Sequence, residues 1–187
     1  MIIGLVGPAG AGKSKAARHL VKRYGFRRIH AGQPVKDALR AAGRLDKDAV
    51  ERRSGKDRAD IRLGGATPRA GLDAVGEAIH RSMPRLTGRR LAQRISKALA
   101  RGRDIVIDGI RQEGEAEAVR KAGGRLVCLD NGSGPDESLK TDALAAAIRA
   151  DGLLKVPGRH VGKKLRRQGI EKAIDEMMRG EFEEGAK

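Results

Sequence analysis

Apolar residues fall into three short unbroken runs, Ile2 to Val6, Ile105 to Ile107 and Leu126 to Leu129. Runs of this length, with no alternation, fit strands covered on both faces. The predicted strands are 2–6, 104–108 and 125–129. Between them the apolar positions recur at helical spacing. Ala16, Ala17, Leu20 and Val21 mark a helix over 14–24 that Gly25 ends. A loop over 29–34 leads to a helix over 35–42. Thr67-Pro68 supplies a capping hydroxyl and a first-turn proline for a helix carrying Leu72, Val75 and Ile79. Further helices are predicted over 88–100 and 113–122, with Gly123-Gly124 turning the chain into the third strand. Strands alternating with helices imply an α/β fold with a parallel sheet flanked by helices.

Elsewhere the pattern is weaker. The stretch 43–65 is polar and reads as a mobile insertion, and 131–135 reads as a turn. A helix is expected over 142–150, a last strand over 156–161 and a closing helix over 170–178. A chain of 187 residues accommodates one domain with a full core. The expected organisation is therefore a single domain over 1–187, with a polar insertion around 43–66 and a basic segment over 149–169.

Chemistry enters with Gly7-Pro-Ala-Gly-Ala-Gly12-Lys13-Ser14, which fits G-x-x-x-x-G-K-[ST] between a predicted strand and a predicted helix. Glycines let such a loop curl so that its N–H groups face phosphate oxygens, and the helix N-terminus adds partial positive charge. The expected ATP site comprises Gly7, Ala9, Gly10, Ala11, Gly12, Lys13, Ser14 and Lys15. Lys13 is expected at the β- and γ-phosphates and the Ser14 hydroxyl on Mg²⁺. Asp108 ends a strand, where parallel sheets present their ligand crevice, so it is a candidate Mg²⁺ ligand or general base. Arg111, three residues on, is a candidate clamp for an acceptor phosphate. The expected catalytic set is Lys13, Asp108 and Arg111.

Several segments taken in order resemble the deoxynucleoside monophosphate kinases of bacteriophages, P-loop kinases similar in turn to adenylate kinases. They are the loop above, Ala31-Gly-Gln-Pro-Val-Lys-Asp-Ala-Leu39, Thr67-Pro-Arg69 with Val75-Gly76-Glu77, and Ile107-Asp-Gly-Ile-Arg111 through Val119 to Gly124. The resemblance covers roughly residues 1 to 130. It implies a three-layer P-loop kinase fold, with Arg69 and Arg111 holding the acceptor nucleotide and Lys36 along the acceptor side. This chain departs from that family in having Gly76-Glu77-Ala78 where Gly-Thr-Glu is usual, and in lacking Trp. Both departures fall on the acceptor half.

Charge bears on the acceptor. The 40 Lys and Arg against 24 Asp and Glu give +16 and a pI near 10.7. Lys15–His30 holds six cations and no acid, Arg81–Arg103 eight and none, and Arg149–Gln168 seven against Asp151 alone. Excess charge of this kind attracts polyanions. The basic stretch 156–169, with Arg159, Lys163, Lys164, Arg166 and Arg167, is a candidate arm tracking a nucleic-acid backbone. A subgroup of phage P-loop kinases that resembles this combination phosphorylates 5-hydroxymethyluracil within DNA, a step in thymidine hypermodification. The first expectation is therefore ATP-dependent phosphorylation of that base in DNA. The alternatives are a kinase making diphosphates from free deoxynucleoside monophosphates and a nucleotide-gated DNA-binding module without chemistry. No membrane span or secretory signal is legible and Cys128 is the only cysteine, so the expected location is the cytoplasm, that of the host if the chain is phage-encoded.

Overall fold

The computed structural model describes residues 1–8, 10–132, 148, 150–158 and 161–180. The expectations for Ala9, Arg159, the turn beyond residue 132 and most of the helix over 142–150 lie outside the described residues.

The described elements run β1 (Ile2–Val6), α1 (Lys13–Tyr24), β2 (Arg27–His30), α2 (Gln33–Gly43), α3 (Lys47–Glu51) and α4 (Arg53–Lys56). A 3₁₀ turn (Ile61–Leu63) follows, then α5 (Pro68–Ser82), α6 (Leu86–Leu99), β3 (Ile105–Asp108), α7 (Glu113–Lys121), β4 (Arg125–Asp130), β5 (Gly152–Lys155) and α8 (Lys163–Met178). The sheet is wholly parallel with strand order β2-β3-β1-β4-β5. It is the expected α/β architecture.

Both sheet faces are covered, which explains the unbroken apolar runs. Ile3, Leu5, Val106, Val127 and Leu129 pack with Leu20 of α1 and with Ile170 and Ile174 of α8. Ile2, Val6, Ile105, Ile107 and Leu126 face the other way, onto Leu91 and Ile95 of α6 and Val119 of α7. Successive residues of each strand thus serve opposite layers. A separate small cluster joins Leu39 of α2 to Leu45 and Val50, with Leu63, Leu72 and Val75 against it. The stretch read as a polar insertion therefore carries two short helices with two buried anchors.

Three expectations need correction. The loop over 29–34 begins as strand β2, an edge strand in which only Ile29 is buried, so it lacks the apolar run that marks the central strands. The last described strand is Gly152–Lys155, where 156–161 was expected; it pairs with β4 from Val127 to Asp130. The closing helix starts at Lys163, seven residues earlier than its apolar stripe begins, so the expected basic arm is in part the first two turns of α8. Gly169 lies within that helix because it passes against the Pro157 ring. Thr67 and Pro68 act as predicted: the Thr67 hydroxyl accepts the Ala70 N–H at 3.2 Å. Among the described residues no helix is long and apolar enough to cross a membrane.

Candidate active site

β1 ends at Val6 and the chain turns sharply into α1. Gly7, Gly10 and Gly12 take φ of 124°, 76° and 106°, a region costly for any residue with a Cβ. A Cβ on Gly7 would come within 2.5 Å of the Leu129 carbonyl oxygen, and one on Gly12 within 2.6 Å of Ile170 Cδ1. The loop is thereby wedged between β4 and α8. Gly12 caps α1 without a side chain, and the first helical turn carries no acid, so its N-terminal amides and partial positive charge remain on offer to an anion. The Lys13 ammonium donates to the carbonyls of Gly7 at 2.6 Å and Pro8 at 2.8 Å, folding back over the loop. Arg166 of α8 reaches the same loop, with Nη2 donating to the Gly10 carbonyl and Nε to that of Pro157 at 3.2 Å. Lys15 sits among Arg166, Arg18, Arg167 and Lys163; burial first, then these like charges, lower its pKa. This rim of cations is suited to a polyphosphate.

Asp108 closes β3, where its carboxylate is 2% exposed. The Ser14 hydroxyl donates to its Oδ2 at 3.1 Å, while Arg28 Nε and Nη2 donate to Oδ1 and Oδ2 at 3.1 and 2.5 Å. Burial alone would raise the Asp108 pKa, but the Arg28 fork, the His30 and Arg28 charges and the Ser14 hydroxyl together bring it below the ordinary value. Sequence reasoning missed Arg28, because residues 26–28 carry no apolar run and were assigned to no element. The two residues expected at Mg²⁺, Ser14 and Asp108, are hydrogen-bonded to each other. Both oxygens of Asp108 are engaged by Arg28, so a Mg²⁺ beside Ser14 fits Asp108 through water rather than by direct displacement of the guanidinium.

Beyond β3, cations gather from four separate segments. Lys36 on α2 is 8% exposed. Its pKa is lowered by burial, against the pull of Glu51 and Asp108, and further by Arg28 and Arg111. Lys56 on α4 is likewise lowered, by burial and then by Lys36, Arg69 and Arg111. Lys56 is thus within electrostatic reach of Lys36, Arg69 and Arg111, and Lys36 of Arg111, so the three expected acceptor residues lie around Lys56. Lys56 was not foreseen, since nothing in a polar stretch marks which lysine will turn inward. Arg69 Nε donates to Asp57 at 2.6 Å, and Arg111 Nη1 lies 3.7 Å from Asp73. Glu115, 3% exposed, accepts the backbone N–H of Arg111 at 2.9 Å and of Gln112 at 3.3 Å, fixing the entry to α7 and with it the base of Arg111. Cys128 is half-buried near Lys13; burial, then Asp130, raises its pKa and keeps the thiol protonated.

A phosphate loop after the first strand of a parallel sheet, with the strand order given above, defines the architecture. The chain is a three-layer α/β protein with a P-loop sequence between β1 and α1. No family model matches the chain. A protein of Acanthamoeba polyphaga mimivirus, provisionally named a deoxynucleotide monophosphate kinase, is 29% identical over 168 residues, covering 80% of this chain and 84% of the relative. Among solved structures, a sugar kinase from Janibacter aligns at 16% identity and a TM-score of 0.49, covering 96% of this chain and 92% of its own. Shikimate kinase from Aquifex aeolicus aligns at 16% identity and 0.43, covering 96% and 97%. The adenylyl-sulfate (APS) kinase of Mycobacterium tuberculosis aligns at 14% and 0.40, covering 93% and 96%.

Proposed function

We propose that the chain is a phosphotransferase that passes the γ-phosphoryl group of ATP to the phosphate of a free deoxynucleoside monophosphate, giving the diphosphate. The observation that carries this reading is the group of cations beyond the strand that ends in Asp108, where half-buried Lys56 is repelled by Lys36, Arg69 and Arg111, and buried Lys36 by Arg111. Bringing such charges together and partly burying two of them is unfavourable unless an anion completes the site. A phosphate monoester, carrying nearly two negative charges, is matched to them, and Arg69 and Arg111 can grip it bidentately. The mimivirus relative's name supports a monophosphate acceptor.

The state of Asp108 points the same way. An acceptor phosphate oxygen is already ionised at neutral pH and attacks without losing a proton. A hydroxymethyl group must give up a proton as it attacks, and a carboxylate held by Arg28 with a lowered pKa is a weak base. In the proposed reaction the acceptor oxygen bonds to the γ-phosphorus as the bond to the β–γ bridging oxygen breaks, releasing ADP. Lys13 exchanges its loop carbonyls for the phosphates, stabilising charge that builds on them, and the loop amides hold the β-phosphate. Mg²⁺, held by Ser14 and through water by Asp108, would supply further neutralisation of the phosphate oxygens.

Hydroxymethyluracil within DNA is the second reading, favoured by the carboxylate-free basic segments. Labelled γ-phosphate transfer separates the two when free deoxynucleoside monophosphates and a hydroxymethyluracil duplex are offered side by side. Label is expected on the free nucleotide. Label confined to the duplex would overturn the proposal in favour of the DNA kinase, and ATP binding with transfer to neither acceptor would favour a module without chemistry. Lys13→Ala is expected to lower kcat by about 10² to 10³.

A further inference from the structure

β2 forms one edge of the sheet, pairing with β3 alone. Along this edge, between β2 and the C-terminal half of α6, runs a groove of about 440 Å³. Its charged lining is Arg27, Arg28, Arg94, Lys97, Arg101 and Arg103, and no carboxylate lines it. We propose that this groove docks the phosphate backbone of duplex DNA.

The six cations are not in the same condition. Arg28 is engaged with Asp108, and Arg94 Nη1 donates to the His30 carbonyl at 2.8 Å. Arg27, Lys97, Arg101 and Arg103 are exposed, and none of them makes an ion pair or a side-chain hydrogen bond among the described residues. The nearby acids are occupied elsewhere: Asp104 takes the N-terminal ammonium of Met1, and Asp37 accepts from Gln33 at 2.9 Å. The negative end of α6 accounts for one or two cations near its last turn, where Lys97 lies, but not for a row that continues onto β2. Unpaired like charges held along one concave edge repel one another, and a rod of closely spaced phosphates relieves that repulsion while releasing counterions.

The rest of the lining decides the kind of polyanion. Phe26, Ile29 and Ala98 are 3%, 4% and 8% exposed, so no apolar side chain projects to enter a bilayer. The chain has one Tyr, two Phe and no Trp, and the groove offers no aromatic surface on which an unpaired base could stack. What remains is guanidinium and ammonium contact with a backbone, without reading of sequence. Arg28 joins the groove to Asp108, but Lys13, Lys36, Lys56, Arg69 and Arg111 do not line it, so the proposal holds for either acceptor. Its test reads affinity for DNA, with transfer serving only as a check.

That test compares two triple variants of equal charge change. Arg27→Gln, Lys97→Gln and Arg101→Gln remove three groove cations; Arg85→Gln, Arg89→Gln and Lys121→Gln remove three exposed ones from the α6–α7 face. Binding of a fluorescently labelled short duplex is followed by anisotropy across a salt series, with thermal unfolding and phosphate transfer to free nucleotide as checks of folding. For the wild type, log affinity is expected to fall linearly with log salt. The groove variant should lose about tenfold or more in affinity and roughly 2.7 in slope, while transfer to free nucleotide is retained. Equal losses in the α6–α7 variant would reduce the effect to general surface charge and overturn the proposal. So would an unchanged slope in the groove variant, no binding of duplex by the wild type at low salt, tighter binding of single strands than of duplex, or binding to anionic lipid vesicles without binding to duplex.

Discussion

Asp108 and His30 face each other across the β2–β3 register, and their ionisation is the most local consequence of this fold. Burial holds the His30 imidazole at about 3 rather than the ordinary 6.5; Asp108 pulls upward, while Lys36, Arg28 and Lys56 push down. The nucleotide-free native state therefore stays unprotonated at His30 across a window, from about 6.5 to about 3, in which the unfolded chain takes up a proton. Above that window the residue contributes no pH dependence. As pH falls through it, unfolding is favoured progressively. Asp108, with its lowered pKa, behaves oppositely: its stabilising contribution is present above the unfolded carboxylate value and is lost in more acid solution. NMR titration of the imidazole, assigned with His30→Asn, checks the first statement, and protonation near the ordinary value would contradict it. The same substitution should flatten the acid decline in unfolding free energy over the window. None of this was visible from the sequence, where His30 was one residue of an expected loop; the β2 pairing is what half-buries it and sets it opposite Asp108.

Between α6 and α7 the elements approach so closely that a glycine decides the distance. A Cβ on Gly88 would run into the Gly114 carbonyl of α7, whereas one on Gly114 finds nothing nearer than the Pro84 oxygen at 3.8 Å. Alanine in a helix ordinarily gains up to about 1 kcal/mol over glycine. At Gly88 the obstacle is backbone and cannot swing aside, so Gly88→Ala is expected to destabilise by about 1–3 kcal/mol. Gly114→Ala is expected to be neutral or mildly stabilising. For a chain of this size the first should lower Tm by roughly 2–4 °C per kcal/mol, measured by calorimetry. Equal Tm values for the two variants would mean that the helices can separate without cost. The helices themselves were legible from their 3.6-residue stripes, and α5 from its Thr-Pro start. Strands β2 and β5 were not, because an edge strand buries too few positions to leave an apolar run.

At the scale of the whole molecule, the phosphate loop and the proposed ATP side rest on the two large cores, and the proposed acceptor side on the small one. Val50 is fully buried in that small cluster with Leu39 and Leu45. The helix it anchors immediately precedes α4, which bears Lys56. Val50→Ala is expected to cost about 2 kcal/mol at most and to loosen Lys56. The result should be a raised KM for the acceptor with unchanged ATP affinity, read by initial rates and by nucleotide titration. A rise in both would show that the two sides do not separate. The sequence by itself determined the central strands, the principal helices and the phosphate loop, because each rests on a short-range rule: an apolar run, a helical period, or glycines at fixed spacing before a lysine. Tertiary structure alone decided which distant charges meet. Arg28 finds Asp108 eighty residues away, Lys56 turns toward Lys36 and Arg111, and Arg27 joins Lys97 and Arg101 in one groove. A charged side chain carries no periodic signature of its partner; its environment is set by packing of elements remote along the chain, and local pattern is silent there.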